Sequence, residues 1–255
     1  WEGTDLQTDT RTPMIGRDGC LFMINKASAE LCKFRPSSGD WDSVGPVPAA
    51  VIQMLASGVY FSVFHGGHLY IFEGGTRNGQ SYSVATGEWK ALPPLLSARG
   101  LATACVVDGR LCVVGGYVGN QSSSSAEEYI AAEQRWQSLP DTPLPGAGAA
   151  AVEWQGKLLV IGGYVPGGAS LGAVQEYDPV SRNWRQLPSL IDAREEPAAV
   201  VFGGDVMVMG GYDLRTGQWQ PLRTVERYNR QSQCWEAMPS MTEALIRPQA
   251  FVVSR

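Results

Sequence analysis

Short apolar runs alternate along this chain with polar or glycine-rich segments. Three runs have nearly the same form: LCVVGGY at 111–117, LLVIGGY at 158–164 and VMVMGGY at 206–212. Runs of this length that are rich in Val, Leu, Ile and Met and end at glycine predict buried β-strands rather than helices. The pattern therefore predicts an all-β fold built from many short strands.

A longer period groups these strands into units. Five tryptophans lie 48, 47, 48 and 51 residues apart, and an aromatic residue stands seven positions before each. The tryptophans are Trp41, Trp89, Trp136, Trp184 and Trp235, and the aromatic residues are Phe34, Tyr82, Tyr129, Tyr177 and Tyr228. In the third unit we predict strand a over 101–107, a tight turn at Asp108-Gly109, strand b over Arg110–Val114, and strands c and d around Tyr129 and Trp136. Four strands in each unit of this length predict the blades of a β-propeller.

A glycine pair, then Tyr, then Trp at these spacings resembles the Kelch repeat over roughly residues 16–253. The glycine pairs are Gly74-Gly75, Gly115-Gly116, Gly162-Gly163 and Gly210-Gly211. The first unit departs from the repeat, because Asn25 and Lys26 stand where its glycine pair belongs. We interpret the repeated Gly, Tyr and Trp as structural, since glycine suits a sharp strand end and the large aromatic side chains pack between blades.

The two ends of the chain suggest how the ring closes. Residues 12–17 make a weak strand a for the first unit, whereas 245–253 predict a strand a with nothing after it. We predict that the segment around Phe251 pairs with the strand around Phe22, which gives five complete four-stranded blades closed by the C-terminal strand.

This count fixes the expected domain organisation. Residues 1–18 are an N-terminal extension or the remnant of a further blade, and residues 19–255 are the propeller domain. The alternative is six blades with one split or incomplete, in which Trp1 belongs to the outer strand of the sixth. Because the chain begins at Trp1 rather than Met, we also expect a fragment or a processed form.

Strand order places the b–c loops and the d–a loops on one face of the ring, here called face X, and the a–b and c–d turns on the other, face Y. The b–c loops of the third, fourth and fifth units are long and differ in sequence, YVGNQSSSSAEE, YVPGGASLGA and YDLRTGQWQPLR. Variable loops on a rigid scaffold are where binding usually occurs. We therefore predict that a partner binds on face X.

Several residues are candidates for this partner-binding site. Arg99 and Arg194 each lie ten residues after a blade tryptophan, at the start of strand a; Arg11 shares this spacing from Trp1, and Arg247 is two residues off it. Tyr117, Tyr164 and Tyr212 follow their glycine pairs directly, and Trp219 lies outside the repeat in the longest b–c loop. Structural alternatives are that Arg194 pairs with Glu195, Glu196 or a nearby blade, and that the aromatic residues only anchor their loops.

Composition narrows the partner. The net charge of −5 lacks the basic field that nucleic acid requires, and no apolar run approaches the length of a membrane span. Arginines focused on one channel mouth of an acidic protein predict a short acidic protein segment as the ligand. Five cysteines without a CxxC motif favour a reducing, cytoplasmic compartment.

Other chemistry finds little support in the sequence. His65 and His68 flank the Gly66-Gly67 turn, and Cys105 and Cys112 fall opposite each other across a hairpin, positions that other units fill with ordinary turn and core residues. We therefore predict no catalytic residue, no metal, no cofactor and no enzyme activity.

The resemblance implies three kinds of function. Many Kelch domains recognise the substrates of cullin-type ubiquitin ligases, joined to an F-box or BTB domain that this chain does not contain, and this adaptor role is our first prediction. A second is a channel-site enzyme acting on a sugar or small molecule, similar to sialic-acid mutarotases, in which Arg194 and Glu195 or Glu196 supply the catalytic pair, or to plant specifier proteins. A third is a cytoskeletal or scaffold module.

Overall fold

The computed structural model describes residues 14–17, 20–35, 38–165, 167–214 and 217–250, with side chains from Leu21 onward. Twenty strands form five antiparallel sheets of four, and the sheets follow one another along the chain as the blades of a propeller. The prediction of an all-β propeller with five blades is confirmed. Strand b of the third unit is Arg110–Val114 as predicted, while strand a begins two residues later than predicted, at Thr103.

The first two blades are the more irregular ones. Blade one consists of β1 (Met14–Arg17), β2 (Cys20–Asn25), β3 (Glu30–Arg35) and β4 (Asp40–Pro46). A short helix, α1 (Ala49–Ala56), which the sequence did not predict, follows β4 and buries Val51, Met54 and Leu55. Blade two consists of β5 (Tyr60–His65), β6 (His68–Glu73), β7 (Gly79–Ser83) and β8 (Glu88–Ala91).

The last three blades repeat one plan. Blade three consists of β9 (Thr103–Val107), β10 (Arg110–Val114), β13 (Ala126–Ile130) and β14 (Arg135–Leu139), with a small hairpin of β11 (Tyr117–Val118) and β12 (Gln121–Ser122) in its b–c loop. Blade four consists of β15 (Ala150–Trp154), β16 (Lys157–Ile161), β17 (Val174–Asp178) and β18 (Asn183–Leu187). Blade five consists of β19 (Ala198–Phe202), β20 (Asp205–Met209), β23 (Val225–Asn229) and β24 (Cys234–Met238), with a hairpin of β21 (Tyr212–Asp213) and β22 (Gln220–Pro221).

The hydrophobic core lies between neighbouring blades. One cluster joins Val152 and Trp154 of blade four to Val206 and Trp235 of blade five, and similar clusters join blade three to four, two to three and one to two. The sheets of blades two, three and four therefore bury both faces against their neighbours, which explains why strand b reads as a continuous apolar run in blades three and four.

The blade tryptophans add a hydrogen bond to this packing. The indole Nε1 of Trp136 donates to the carbonyl oxygen of Pro93 at 2.9 Å, and Trp184 and Trp235 do the same to Pro140 and Pro188 in the d–a loop before their own blades. Trp136 and Trp235 are buried, whereas Trp41, Trp89 and Trp184 are only partly buried. The repeated tryptophan is therefore structural, as predicted, although only two of the five are largely buried.

The glycine pairs hold the blades together at face X. The amide of the second glycine donates to a carbonyl ten residues after each tryptophan, from Gly75 to Arg99, Gly116 to Gly146, Gly163 to Arg194 and Gly211 to Leu245, at 2.8–3.0 Å. A Cβ on Gly163, whose φ is +98°, would lie 2.7 Å from the carbonyl oxygen of Ala147. Only glycine allows both this conformation and this approach of two backbones.

Two buried ion pairs fix the start of strand a. Arg99 binds Glu127 at 2.8 Å and Arg194 binds Glu226 at 2.5 Å, and each arginine also donates to two backbone carbonyls and to the hydroxyl of Ser125 or Thr224. Burial lowers the pKa of Arg99 and raises that of Glu127, so desolvation offsets part of their attraction.

Blade four replaces all the members of this arrangement together. Gly146 takes the place of the arginine, Gln175 that of the glutamate and Ala173 that of Ser125 and Thr224. The Gln175 side chain still accepts the amide of Leu144 at 2.8 Å, as Glu127 accepts that of Leu96. In blade four both the arginine and its glutamate are thus replaced by uncharged residues. This joint replacement indicates that Arg99 and Arg194 serve as structural partners of Glu127 and Glu226.

The predicted ring closure is wrong. Phe22 of β2 pairs with Ile15 of β1 on one side and with Lys33 of β3 on the other, so both edges of β2 are already occupied. Residues from the predicted N-terminal extension thus supply strand a of the first sheet, and Phe251 lies outside the described residues. Leu245 instead binds Gly211 and Leu222 of blade five, in the way that the preceding blades hold their successors.

We expect the close backbone approach at the glycine pairs to dominate their role. Gly163→Ala places a methyl group against Ala147, whereas Gly156→Ala adds one at a positive φ of +74° with no atom within 4 Å. Both variants carry the left-handed penalty of about 1–2 kcal/mol. Gly163→Ala should lower the free energy of unfolding by about 2 kcal/mol more than Gly156→Ala in urea titrations. Equal losses of unfolding free energy would show that the positive φ alone, and not the close backbone contact, explains why glycine stands at position 163.

The buried pair predicts strong coupling between its partners. Glu127→Gln keeps an acceptor for Leu96 but leaves Arg99 as an uncompensated buried charge, so the variant should lose about 3–5 kcal/mol of unfolding free energy. Adding Arg99→Met should recover part of this loss, with a coupling energy of about 1 kcal/mol or more in a double-mutant cycle.

The exposed pair of Glu133 and Arg135 supplies the control. Glu133→Gln should change the unfolding free energy by less than about 0.5 kcal/mol. Additive effects of Glu127→Gln and Arg99→Met would contradict a structural ion pair.

Candidate functional site

The two arginines that we predicted at the channel mouth are not accessible. Arg99 is 1% exposed and Arg194 is fully buried, and both are bound to glutamates of their own blades. Arg194 pairs with Glu226 and not with Glu195 or Glu196, the neighbours that the sequence alternative named. A guanidinium that is enclosed and paired cannot receive a partner's carboxylate, so the predicted positive patch is absent there. Arg11 lies outside the described residues.

Three tyrosines occupy equivalent positions on blades three, four and five. Tyr117 and Tyr164 are half-buried, and their rings meet edge to face with centroids 5.6 Å apart, while Tyr212 is buried. Burial, followed by the hydrogen bond with Tyr117, raises the pKa of Tyr164. The neighbouring loops are tied together as well, because the Ser122 hydroxyl donates to the carbonyl oxygen of Tyr164. The tyrosines thus occupy one row of equivalent positions, in which the rings of Tyr117 and Tyr164 are in contact.

Glu195 stands beside this row and is buried, with 1% of the residue exposed. The Ser170 hydroxyl donates to Oε1 of Glu195 at 3.0 Å and itself accepts the amide of Leu214 at 2.9 Å. The Tyr212 hydroxyl also interacts with this carboxyl, yet the buried Oε2 has no hydrogen-bond partner of ordinary geometry among the described residues. Burial, more than the nearby charges of Glu196 and Asp213, raises the pKa of Glu195.

An ion pair of Glu196 and Arg247 lies next to this carboxyl. Leu101, Gly148, Glu196 and Arg247 occupy equivalent positions, all with φ between 47° and 62°. Gly148 donates to the carbonyl oxygen of Leu101, and Glu196 to that of Gly148, each at 2.8 Å. The hydrogen bond to Glu196 raises the pKa of Arg247. This inner row of left-handed residues is the kind of strained backbone that clusters at functional sites.

Trp219 completes the cluster from the b–c loop of blade five. It is 61% exposed, and its ring stacks on Tyr212 with centroids 4.3 Å apart and planes 27° from parallel. One face of Trp219 thus anchors its loop, as the structural alternative proposed, while more than half of the side chain remains in contact with solvent.

These residues define the candidate site, which we call the mouth cluster: Tyr117, Tyr164, Ser170, Glu195, Glu196, Tyr212, Asp213, Trp219 and Arg247. The cluster brings together five of the eight predicted partner-binding residues. The carboxyl groups of Glu196 and Asp213 lie near that of Glu195, and Arg247 pairs with Glu196.

The sequence contained a signal for the residues that we did not select. Glu195 stands where the preceding blades have Gly100 and Ala147, and Glu196 stands where they have Leu101 and Gly148. A charged residue in a repeat position that is otherwise small or apolar is not required by the fold, so it is a candidate for a functional role. The sequence analysis assigns Glu195 and Glu196 either to an ion pair with Arg194 or, in the enzyme alternative, to a catalytic pair with it.

Within the ranges that the structure describes, no group of three or more His, Cys, Asp or Glu side chains is arranged to hold a metal ion. No helix in the described part of the chain has the length and apolar character to cross a membrane.

Comparison with known proteins agrees with the fold. The Kelch motif matches three consecutive stretches, residues 98–143, 145–191 and 193–242. These are the repeats whose tryptophan donates a hydrogen bond to a proline carbonyl oxygen. No curated protein matches the chain significantly. Among solved structures, one titled "Structure of YjhT" is similar with a TM-score of 0.76 and 14% identity, over 94% of this chain and 86% of that one.

This structural match corrects our prediction that the protein is not an enzyme. The likeness to YjhT extends over nearly the whole chain, and a shared propeller fold does not decide between binding and catalysis. The mouth cluster also presents a buried carboxyl, tyrosine hydroxyls and an arginine, which are groups that catalysis uses.

The three motif matches together cover more than half of the residues, and the structure shows the corresponding blades. The chain therefore belongs to the Kelch repeat family of β-propellers and is a binding module in the general sense of that family.

Proposed function

We propose that the protein binds a segment of a partner protein on face X, over the mouth cluster. The observation that carries this proposal is the exposed indole of Trp219, stacked on a buried tyrosine that in turn contacts a buried carboxyl. An anchored aromatic residue beside a recessed polar centre is the arrangement found at the hot spots of protein interfaces.

Further exposed apolar side chains lie in the loops of the same face. Val118, beside Tyr117, and Leu245 and Ile246, beside Arg247, are 38%, 43% and 49% exposed. Gly211 binds the carbonyl oxygen of Leu245, so these residues belong to the same face. Exposed apolar residues grouped around one site favour a macromolecular partner.

The finer predictions about the partner change with the structure. The acidic segment was inferred from Arg99 and Arg194, and their burial removes its basis, so we do not retain it. The role as substrate receptor of a cullin-type ubiquitin ligase is compatible with a binding face of this kind, but it depends on domains outside this chain. It remains a family-based proposal, as does the scaffold alternative.

A channel-site enzyme acting on a sugar is the second candidate. Glu195 favours it, because burial raises the pKa of this carboxyl, and a carboxyl beside Tyr212 and the Glu196–Arg247 pair is a group that can donate and accept a proton. The sequence alternative of a mutarotase-like activity therefore survives with different residues, since Arg194 is occupied by Glu226.

Selection and mutation on opposite faces test the binding proposal. Unstructured twelve-residue segments displayed on phage are selected on the 255-residue chain, and the recovered peptides are titrated against two variants. Trp219→Ala should weaken binding by about tenfold or more, as expected for a hot-spot aromatic. Phe202→Ala removes an equally exposed aromatic, 63% against 61%, from the a–b turn on face Y and should change the affinity by less than about twofold. Peptides that bind Trp219→Ala as well as the parent protein would place the site elsewhere.

A rate measurement tests the enzymatic candidate. Nuclear magnetic resonance follows the interconversion of the two anomers of N-acetylneuraminic acid with and without catalytic amounts of the protein. The parent chain should accelerate the exchange, and Glu195→Gln should reduce the acceleration by about 100-fold because it removes the proton-transfer group. A parent rate equal to that of buffer alone would exclude this activity.

A further inference from the structure

We propose that Ser170 is a positioning residue of this binding face, because its hydroxyl holds the hairpin that presents Trp219 to the partner. Ser170 is only 5% exposed, so it acts through the aromatic residue rather than by touching the partner itself. The inference rests on the proposed binding function and assigns the contact that keeps its aromatic anchor in place.

The hydroxyl group of Ser170 joins three segments of the chain. It donates to Oε1 of Glu195, just before strand a of blade five, at 3.0 Å, and it accepts the backbone amide of Leu214, in the b–c loop of the same blade, at 2.9 Å. Ser170 itself belongs to the b–c loop of blade four, where it forms a backbone bridge with Tyr164. One buried hydroxyl, used both as donor and as acceptor, therefore links two neighbouring blades at face X.

Leu214 extends this link toward Trp219. The base of the blade-five hairpin is held by its backbone, since Tyr212 and Glu195 exchange two amide–carbonyl bonds of 2.8 and 3.0 Å. Leu214 lies beyond this base, and its carbonyl oxygen accepts the amide of Gly217, two residues before the tryptophan, at 2.8 Å. The serine hydroxyl thus fixes the near side of the turn that leads to the indole.

The same device occurs between blades three and four. The residue that faces the tyrosine in each b–c loop is Ser122 in blade three, Ser170 in blade four and Pro221 in blade five. The hydroxyl of Ser122 donates to the carbonyl oxygen of Tyr164, in the next blade, at 3.3 Å. Pro221 has no hydroxyl and is exposed, so among the described blades the series of serine ties ends at the hairpin that carries Trp219.

Such a tie contributes to affinity through preorganisation. An exposed aromatic side chain on a loosely held loop has to be ordered when a partner binds, and the lost freedom subtracts from the binding free energy. In the present structure the loop is already held when the partner arrives. Ser170→Ala removes the acceptor of the Leu214 amide and the donor to Glu195 together, so it should release the hairpin beyond its base.

The first measurement needs no ligand. In protein with isotope-labelled tryptophan, the indole N–H signal of Trp219 in nuclear magnetic resonance spectra is identified by its absence in Trp219→Phe. Ser170→Ala should shift and broaden this signal, because the ring loses its fixed position. Ser122→Ala is the matched control, since it removes the equivalent serine of blade three, and it should leave the signal unchanged. Melting curves verify that both variants are folded.

The second measurement uses the twelve-residue peptides selected by display on the parent protein. Ser170→Ala should weaken their binding about fivefold, within the range expected for ordering one or two side chains. In the Trp219→Ala background the same change should cause no further loss, because the serine acts through that ring. Any loss caused by Ser122→Ala should be equal in the two backgrounds.

The possible outcomes separate this inference from the proposed function. An unchanged indole signal in Ser170→Ala, or an equal loss of affinity with and without Trp219, overturns the positioning role. If the peptides lose affinity in Trp219→Ala but not in Ser170→Ala, binding on face X stands and only the positioning role is removed. If the peptides bind Trp219→Ala as tightly as the parent protein, the proposed function falls, and the indole signal alone then decides whether Ser170 positions the ring.

Discussion

The close contact between each glycine pair and the backbone of the following blade is the constraint on which the rest of this structure depends. At four successive connections a glycine amide meets a carbonyl ten residues beyond a tryptophan, and at Gly163 and Gly211 no Cβ would fit. In blades three, four and five these contacts lie just before strand a and fix the point at which it begins. The residues that follow are therefore delivered to the mouth at a constant height and spacing, whatever their side chains.

This regularity divides the repeat positions into structural and free ones. The arginine position has to satisfy buried carbonyls, so its charge must be matched inside the blade, by Glu127 or Glu226. Blade four is consistent with this requirement, since uncharged residues, Gly146 and Gln175, occupy both the arginine and the glutamate positions. One and two residues later the repeat positions differ between blades, and there Glu195, Glu196 and Arg247 supply the charged groups of the mouth cluster.

The mouth cluster combines side chains that are held rigidly with hydrogen-bonding atoms that have no partner of ordinary geometry. Ser170 and Leu214 hold one oxygen of Glu195 in place, while its second oxygen lacks a conventional partner. Trp219 rests on Tyr212 but keeps a large exposed surface. Groups that are prearranged and yet have unused capacity bind a ligand with little cost in reorganisation, which is why the cluster suits recognition as well as proton transfer.

Sequence by itself determined the fold, because the periodicity of glycine pairs, tyrosines and tryptophans reports local strand geometry and interblade packing. It predicted the five blades and the strands of blade three, and it singled out Tyr117, Tyr164 and Tyr212 as equivalent positions at the start of the b–c loops. It missed α1 and assigned the wrong partner to β2, since the weak pattern of residues 14–17 conceals a strand that only its neighbour stabilises.

Tertiary structure decided the composition of the site. From spacing alone, Arg99 and Arg194 were expected at the mouth, but spacing does not reveal whether a side chain points toward solvent or toward a glutamate 28 or 32 residues away in the same blade. Which charged side chains are available at the mouth depends on such pairings between distant residues, and only the folded structure makes them.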